Sequence, residues 1–418
     1  MYSVEDWVRY GDELRRPLLV SEGLTKSTHL VIVGGGLSGL TIAYRLASKR
    51  PDISITILEG SDALGGVIKT WKSDEWVCDL AVNATRSHPA VWRLAADLSL
   101  GDVFMPSNPN AQHRWIHLKE KMHRLSWRTA FKIGPFRTRR SIIESRKGGR
   151  AVSEVLPHEL IADAMTLGIV NDTSGHVDAD FLFPSLTRFG PSPPIKWSKI
   201  KKKIRGTYPL FTPKKGSLAS FDGGMICLIE ALSKALEAMP NVAVQFGQHV
   251  NSPEEVSEKF DVPLSSVVWT APMDLATSST SLSIYAIGYR KEDISHVKVG
   301  YGTLIPASNI PISGILHESD IHHSNRAPEG HRLFRLMVPH SRWNGDHQSI
   351  KECAHELLSS SKSVIFHHLG ERKIPSYPPG HMNQVSQQND TFTRAGWAFS
   401  GVSITHVIAE AERIAALF

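Results

Sequence analysis

The chain has 418 residues, a formal net charge of +6 and three scattered cysteines, Cys78, Cys227 and Cys353. Its 41% hydrophobic and 21% charged residues are typical of a globular protein with two or three domains. The sequence contains no long uncharged apolar run, so we expect no transmembrane helix, and the cysteine spacing indicates neither a disulfide framework nor a metal motif. The basic excess suits an anionic ligand or an acidic membrane surface, or has no specific role; no nucleic-acid-binding motif accompanies it.

Residues 1–28 are predicted to be an N-terminal extension. This segment has no apolar core of the kind found in secretory signals, and its acidic residues, such as Glu5 and Asp6, are unlike those of a transit peptide. The sequence therefore predicts no clear targeting signal here.

The next segment has the order of a dinucleotide-binding unit. Leu30–Val33 is a short apolar, β-branched run, which is typical of a strand buried on both faces. It leads into three glycines: Gly34 allows a tight turn, Gly36 lets backbone approach a pyrophosphate, and Gly39 lets the following helix pack closely on the sheet. That helix is predicted to end before Pro51, which cannot continue it.

A second strand and an acidic residue complete this unit. Ile53–Leu58 is predicted to be a strand, and Glu59 at its end can accept hydrogen bonds from both ribose hydroxyls of a dinucleotide. The order of these elements favours a nucleotide site over a glycine-rich turn in an unrelated α/β domain. The pair Gly65-Gly66 after a short loop resembles the FAD-binding amine-oxidase superfamily more than NAD-dependent dehydrogenases. We therefore predict FAD, bound non-covalently because no cysteine lies near the C-terminus.

The remaining chain alternates between predicted strands, helices and loops. Hydrophobic spacing predicts these elements in chain order: a hairpin at Val67–Asp79, a helix at Pro89–Leu100, a strand at Gln112–Leu118, a helix at Val152–Val170, an exposed apolar patch at Phe181–Leu186, a strand and helix within Ser217–Leu236, strands at Asn241–Val250 and Val267–Pro272, an antiparallel sheet within Ser281–Val338, a helix and strand within Ser349–Leu369, and a helix from Ile404. The basic, proline-rich segment 196–215 is interpreted as a solvated loop or, alternatively, as a surface attracted to anionic phospholipids.

Five segments in order along the chain resemble the oxygen-dependent protoporphyrinogen oxidases of the FAD-binding amine-oxidase superfamily. They are Arg114-Trp115-Ile116, Phe183-Pro184-Ser185-Leu186, Ser220 to Met225, Tyr301 to Pro306, and Ile374 to Tyr377 with Gly380-His381. The resemblance extends from His29 almost to Phe418.

This resemblance implies an α/β fold: a Rossmann-like FAD-binding domain with a helical membrane-associated domain and a mixed-sheet substrate domain. The implied boundaries are 29–90, 216–265 and 390–418 for the FAD-binding domain, 91–215 for the helical domain and 266–389 for the sheet domain. The implied reaction oxidises protoporphyrinogen IX to protoporphyrin IX in haem biosynthesis, with molecular oxygen as acceptor. A peripheral association with the mitochondrial inner membrane and a homodimer are also implied.

The resemblance also identifies candidate site residues. Arg114 matches an arginine that binds a substrate propionate, a role suited to a planar, permanently charged guanidinium. Leu304 and Leu316 match residues that sandwich a pyrrole ring, Met337 lies beneath the macrocycle, and Gly168 lets backbone approach it. The FAD contacts are predicted at Gly34, Gly35, Gly36, Ser38, Gly39, Glu59, Gly65, Gly66, Val250, Gly401, Val402 and Ser403.

No catalytic base and no metal ligand are predicted, because hydride transfer to a flavin needs orientation and a dry cavity. His317, His322 and His323 are interpreted as structural or incidental residues of a polar loop.

Several departures from the family pattern leave alternatives open. Ala63 replaces an arginine, Ala81-Val82-Asn83 replaces a Gly-Pro turn, and the segments Asn251–Leu264 and Gln384–Arg394 are short. These changes are compatible with a non-catalytic tetrapyrrole-binding relative that holds flavin weakly. An amine or carotenoid-type oxidase on the same fold is the other alternative, against which Arg114 and the segment from Tyr301 argue.

Overall fold

The structure is a computed structural model that describes residues 16–86, 88–111, 113–118, 121–124, 135–184, 186–187, 218–273, 278–388 and 391–418. Most of the extension 1–28 and the whole basic segment 196–215 therefore lie outside the described residues.

The described residues form a mixed α/β fold. Its strands are β1 (His29–Val33), β2 (Ser54–Leu58), β3 (Thr70–Ser73), β4 (Trp76–Asp79), β5 (Thr85–Arg86), β6 (Phe104–Pro106), β7 (Arg114–Leu118), β8 (Lys121–Arg124), β9 (Leu218–Phe221), β10 (Val242–Gln245), β11 (Val267–Trp269), β12 (Ser278–Arg290), β13 (Gly302–Leu304), β14 (Gly314–Leu316), β15 (His331–Pro339), β16 (Ser363–Ser376) and β17 (Thr393–Arg394). Its helices are α1 (Leu37–Lys49), α2 (Pro89–Asp97), α3 (Pro135–Glu144), α4 (Val152–Val155), α5 (Glu159–Val170), α6 (Ala179–Leu182), α7 (Ile226–Glu237), α8 (Pro253–Phe260), α9 (Glu318–Ile321), α10 (His347–Leu357), α11 (His381–Ser386), α12 (Trp397–Ser400) and α13 (Ile404–Ala415).

A five-stranded parallel sheet forms the nucleotide-binding half, in the order β10-β2-β1-β11-β17. Its central strand β1 is apolar and buried, as the sequence predicts, and α1 packs against α7 and α13 beside it. The Rossmann-like prediction is confirmed. One boundary differs: β11 lies in this sheet rather than in the substrate domain, because its apolar run pairs with β1 from Val31↔Val267 to Val33↔Trp269.

The N-terminal extension is partly integrated into this sheet. Leu19 forms an antiparallel bridge with Arg394 of β17, and the Arg394 amide donates to the Leu19 carbonyl at 2.9 Å. The Ser21 amide donates to the Thr393 hydroxyl at 3.2 Å. Residues 16–21 are therefore part of the folded core and not a loose appendage.

A seven-stranded mixed sheet forms the second half, in the order β16-β12-β15-β14-β13-β7-β8. All neighbouring strands are antiparallel except β13 and β7, which are parallel. One face carries Tyr285 and Leu336 and packs on α10. The opposite face carries Leu282, Ile284 and Met337 and packs on α4, α5 and α6; we call it the helix-covered face.

The helical segment differs from its prediction in two places. The single helix expected over Val152–Val170 is two helices, α4 and α5, because Pro157 between them removes a backbone donor. The apolar patch expected to be exposed at 181–186 is wrong for Phe181, Leu182 and Phe183, which are at most 9% exposed. The Phe181 ring packs edge-on against Tyr377, with 4.8 Å between the ring centroids.

A membrane-associated helical domain is not shown by this architecture. Among the described helices, none combines the length and apolar character needed to cross a bilayer.

Candidate functional site

The glycine loop between β1 and α1 has the geometry that its sequence predicts. Gly34 has a positive φ of +106°, which favours glycine. A Cβ on Gly39 would lie 2.0 Å from the Gly34 carbonyl oxygen, so α1 can approach the loop only without a side chain there. A Cβ on Gly36 would meet no described heavy atom within 4 Å, so the loop is open at this residue. The open backbone lies at the N-terminus of α1, where the helix dipole favours a negative group.

Glu59 is held against the glycine loop by backbone amides. Its Oε2 accepts from the Gly35 amide at 2.8 Å, and its Oε1 accepts from the Ser61 amide at 2.9 Å and the Ser61 hydroxyl at 2.8 Å. Carboxylate oxygens have further lone pairs, so this fixed carboxylate can still accept from ribose hydroxyls.

The Gly65-Gly66 turn lies directly beside the loop. The Gly65 amide donates to the Gly35 carbonyl at 2.8 Å, and Gly66 is so close to Gly36 that an added Cβ would be 3.4 Å from its Cα. The segment leading to Val250 is adjacent on the other side, because the Gln248 amide donates to the Glu59 carbonyl at 2.9 Å. Residues distant in sequence therefore form one contiguous nucleotide-binding surface.

Ser38 marks the point where this surface meets the C-terminal segment. Its Oγ is buried and has no hydrogen-bond partner among the described residues. The Cβ position of Gly396 is 3.8 Å from that Oγ, so the turn before α12 reaches the first turn of α1. A buried hydroxyl without a partner is unfavourable, and a phosphate oxygen at this place would satisfy it.

The C-terminal residues Gly401, Val402 and Ser403 lie at the N-terminus of α13. The Ser403 hydroxyl caps the helix by accepting from the His406 amide at 3.1 Å. Val402 packs beside the apolar cluster of the helix-covered face. Gly401 faces the guanidinium of Arg16, whose Nη2 donates to the Phe181 carbonyl at 2.7 Å; a Cβ on Gly401 would lie 2.5 Å from the Arg16 Cζ. Arg16 was not predicted as a site residue, because only the fold brings it to Gly401.

Strand register places two of the predicted substrate residues, Leu304 and Met337, in one row on the helix-covered face. Leu304 pairs with Gly314, which pairs with Met337, so the three strands align these residues in one row. The Met337 Cε would be 2.6 Å from a Cβ on Gly314, so this glycine makes room for the methionine. Gly168 of α5 lies above this row, since its Cβ position is 3.3 Å from the Leu304 Cδ2.

The predicted cation, Arg114, lies in the next row of paired residues on the same face of the sheet. Arg114 pairs with Gly302, which pairs with Leu316, and Leu316 pairs with Arg335. Arg114 is exposed, and its guanidinium stacks over Tyr301 at 4.3 Å from the ring centroid. The five predicted substrate residues therefore border one surface, with apolar side chains at the centre and a guanidinium near the β7 end.

A buried ionic cluster lies next to this surface and was missed from the sequence. The Arg326 Nη1 is 3.3 Å from the Asp79 Oδ2, the Arg335 Nε is 3.8 Å from the Glu318 Oε2, and the His322 Nε2 is 3.4 Å from the Glu318 Oε1. Burial raises the pKa of Glu318, but the charge of Arg335 and the contact with His322 outweigh it and hold the pKa at about 2.

This cluster corrects the polar loop expected around the three histidines. His317 and His322 are at most 5% exposed, while His323 is exposed. Potential metal-ligand atoms of Asp79, Glu318 and His322 lie within 4.8 Å of one another. The two guanidinium groups already balance the two carboxylates, so we interpret the cluster as a structural ion network.

The arrangement can be compared with known proteins. A profile for NAD(P)-binding Rossmann-like domains matches residues 32–98. The coproporphyrinogen III oxidase of Bacillus subtilis (strain 168) is 22% identical, over 91% of this chain and 95% of its own. Protoporphyrinogen oxidase 1, chloroplastic, of Arabidopsis thaliana is 34% identical over 21% of this chain and 17% of its own.

The fold is also similar to solved structures. One from Exiguobacterium sp. 255-15, which carries the provisional name protoporphyrinogen oxidase, has a TM-score of 0.64 at 15% identity and covers 94% of this chain and 98% of its own. At that identity, the likeness shows the fold alone. Together the comparisons confirm the resemblance predicted from the sequence: the chain is similar over most of its length to an enzyme named coproporphyrinogen III oxidase, and over a shorter stretch to one named protoporphyrinogen oxidase.

Proposed function

We propose that this protein oxidises a porphyrinogen to the corresponding porphyrin, with FAD as cofactor, molecular oxygen as electron acceptor and protoporphyrinogen IX as substrate. The observation that carries the proposal is the shared surface of Gly168, Leu304, Leu316 and Met337 with Arg114 at its end. An apolar ring that bears carboxylates needs such a surface: apolar walls for the ring and a guanidinium for a carboxylate.

The residues present fit the nucleotide part of FAD. The open backbone at Gly36, the buried Ser38 hydroxyl and the fixed Glu59 carboxylate are suited to a pyrophosphate and a ribose. When bound, FAD supplies an acceptor for the hydride that the substrate loses.

The chain itself binds and orients the substrate and excludes water. Arg114 holds a propionate, and Leu304, Leu316 and Met337 contact the ring while Gly168 lets α5 approach it closely. Val402 at the rim of this apolar cluster joins the surface to the nucleotide-binding half. Each two-electron step removes two hydrogens from the porphyrinogen and reduces one oxygen molecule to hydrogen peroxide.

A direct assay tests this function. Purified protein is examined for flavin absorbance, and porphyrin fluorescence and oxygen uptake are then followed after protoporphyrinogen IX is added. We expect yellow protein, fluorescence that rises above the uncatalysed rate, and matching oxygen uptake. A colourless protein that does not take up added FAD would support the non-catalytic alternative, and oxygen uptake with amines alone would support an amine oxidase.

Coproporphyrinogen III is a second candidate substrate. It is favoured because the relative that aligns with 91% of this chain is named coproporphyrinogen III oxidase. The same assay with both porphyrinogens at equal concentration distinguishes them by kcat/KM.

We also propose that α3 contacts a membrane surface, in line with the mitochondrial inner membrane location that the resemblance implies. The outward-facing residues of α3 combine apolar and basic side chains. Phe136 is 86% exposed, Ile142 and Ile143 are nearly half exposed, and Arg139 and Arg140 are exposed between them. Such a combination suits the interface of an anionic bilayer.

A further inference from the structure

Arg372 of β16, which matches no motif in the sequence, lies on the helix-covered face. It pairs with Leu282 of β12, and Gly370 pairs with Ile284 in the next row, so Arg372 projects to the same side as both β12 residues. Leu282 and the neighbouring Ile374 are buried members of the apolar cluster beneath α4, α5 and α6. A guanidinium therefore borders the surface that carries Met337.

Among the described residues, no counter-charge faces this guanidinium. Within the part of the chain that the structure describes, its buried Nε has no hydrogen-bond partner and no carboxylate forms an ion pair with it. The adjacent Glu371 projects to the other face, where its carboxylate is 3.9 Å from the His340 ring. Burial, and then the charge of Arg335, lower the pKa of Arg372 to about 10, so the group remains protonated at neutral pH.

A half-buried cation with a buried, unpartnered Nε and no counter-charge among the described residues is unfavourable in the free protein. Its cost is offset when a ligand brings an anion, and a planar guanidinium matches a carboxylate in a bidentate manner. Arg335 does not serve this purpose, because it already pairs with Glu318 and donates to the Asp79 and Ala81 carbonyls.

We propose that Arg372 is a second carboxylate-binding residue of the substrate site, on the side of the ring opposite to Arg114. This inference rests on the proposed function and deepens it by naming a residue that distinguishes between its two candidate substrates. Five strand spacings separate β16 from β7, or about 24 Å between the strand axes. Two arginine side chains that extend toward each other from these strands would leave a gap comparable to the width of one macrocycle, so the two cations could bind carboxylates on opposite edges of the ring. Of the two candidate substrates, this arrangement favours coproporphyrinogen III, whose four propionates lie on opposite edges of the ring.

Binding of coproporphyrin III, measured by fluorescence quenching, tests this role. Arg372→Met removes the charge and keeps an apolar side chain of similar reach, whereas Lys373→Met is the matched control on the opposite face of the same strand. We expect binding to be at least tenfold weaker in Arg372→Met and unchanged in Lys373→Met. The tetramethyl ester of coproporphyrin III, measured in detergent, should bind equally to all three proteins.

A second measurement concerns the ligand-free protein. If Arg372 is an uncompensated charge, Arg372→Met should raise Tm relative to the wild type, while Lys373→Met should leave it unchanged. A lower Tm in Arg372→Met would show that the guanidinium already has a structural partner and would overturn the inference.

The remaining outcomes separate the inference from the proposed function. Equal affinity of wild type and Arg372→Met for coproporphyrin III, or an equal loss for acid and ester, would overturn the role of Arg372 alone. A wild type that binds no porphyrin would reject the porphyrinogen function and the inference with it.

Discussion

The buried carboxyl group of Glu410 should make the free energy of unfolding depend on pH, and this tests the structure of the C-terminal part of the site. This α13 carboxyl is 2% exposed, and its Oε2 accepts from the Gly396 amide at 2.7 Å, beside the residues that approach Ser38. Burial raises its pKa from 4.5 to about 8, against the weaker opposing effects of the Gly396 amide and the nearby arginines. At neutral pH the folded protein therefore holds a proton that the unfolded chain has lost.

The sign of the pH dependence follows from this proton. Between pH 4.5 and about 8 the folded state binds more protons than the unfolded state, so the free energy of unfolding falls as pH rises through that window. Each pKa unit is equivalent to about 1.4 kcal/mol, which sets a ceiling of about 5 kcal/mol for the stability lost above the folded pKa. Glu410→Gln stays neutral and retains an oxygen that accepts from the Gly396 amide, so it should remove this loss.

Denaturant unfolding of wild type and Glu410→Gln at a series of pH values measures the effect. We expect similar free energies of unfolding near pH 4.5, and a variant more stable by a few kcal/mol near pH 9. Glu230→Gln, at an exposed site on α7, is the matched control and should follow the wild type throughout. If the free energies of unfolding of wild type and Glu410→Gln change in parallel from pH 5 to pH 9, Glu410 does not carry the proposed extra proton in the folded state.

Four further changes test the site and the proposed membrane surface. Gly39→Ala places a methyl group 2.0 Å from the Gly34 carbonyl, so purified protein should lose its flavin absorbance while circular dichroism still reports a folded chain; full flavin content would contradict the predicted loop geometry. Gly168→Val directs branches at Leu304, only 3.3 Å from the Cβ position, and should weaken porphyrin binding about tenfold or more in a fluorescence titration without changing flavin content. Arg114→Ala should likewise weaken binding of carboxylated porphyrins while leaving bound flavin unchanged, and equal affinity in this variant would reject the propionate role. Phe136→Ser should reduce co-sedimentation with phosphatidylglycerol vesicles, and undiminished sedimentation would argue against α3 as the contact.

The nucleotide-binding unit was predictable because its signals are local. Strand, turn and helix lie within one stretch of chain. Gly34 requires glycine because of its own positive φ, and Gly39 requires it because the Gly34 carbonyl lies against it. The two sides of the hairpin β3–β4 are similarly close in sequence. Short-range chemistry therefore identified this part of the site.

The features that were missed depend on pairing between distant segments. The position of Arg372 on the helix-covered face follows only from its pairing with Leu282. The burial of Phe181 depends on contact with Tyr377, almost two hundred residues later in the chain. Glu410 reads as an ordinary helical acid until the fold places it against Gly396. The adjacency of Leu304 and Met337 likewise depends on the register through Gly314, and not on any pattern within either strand.

The five-stranded parallel sheet joins strands that are far apart in sequence, so it cannot be completed until late in translation of the chain. Its strands come from residues 29–33, 54–58, 242–245, 267–269 and 393–394, and α1 packs on α13, which ends at Ala415. During translation, β1 and β2 can pair with each other early, but their outer edges must wait for β11 and β10, and α1 must wait for α13 at the end of the sequence. Apolar surface and an unpaired strand edge remain exposed for that interval, which favours capture by chaperones and aggregation. Loss of α13 through a premature stop codon should consequently produce insoluble protein and not merely an inactive enzyme.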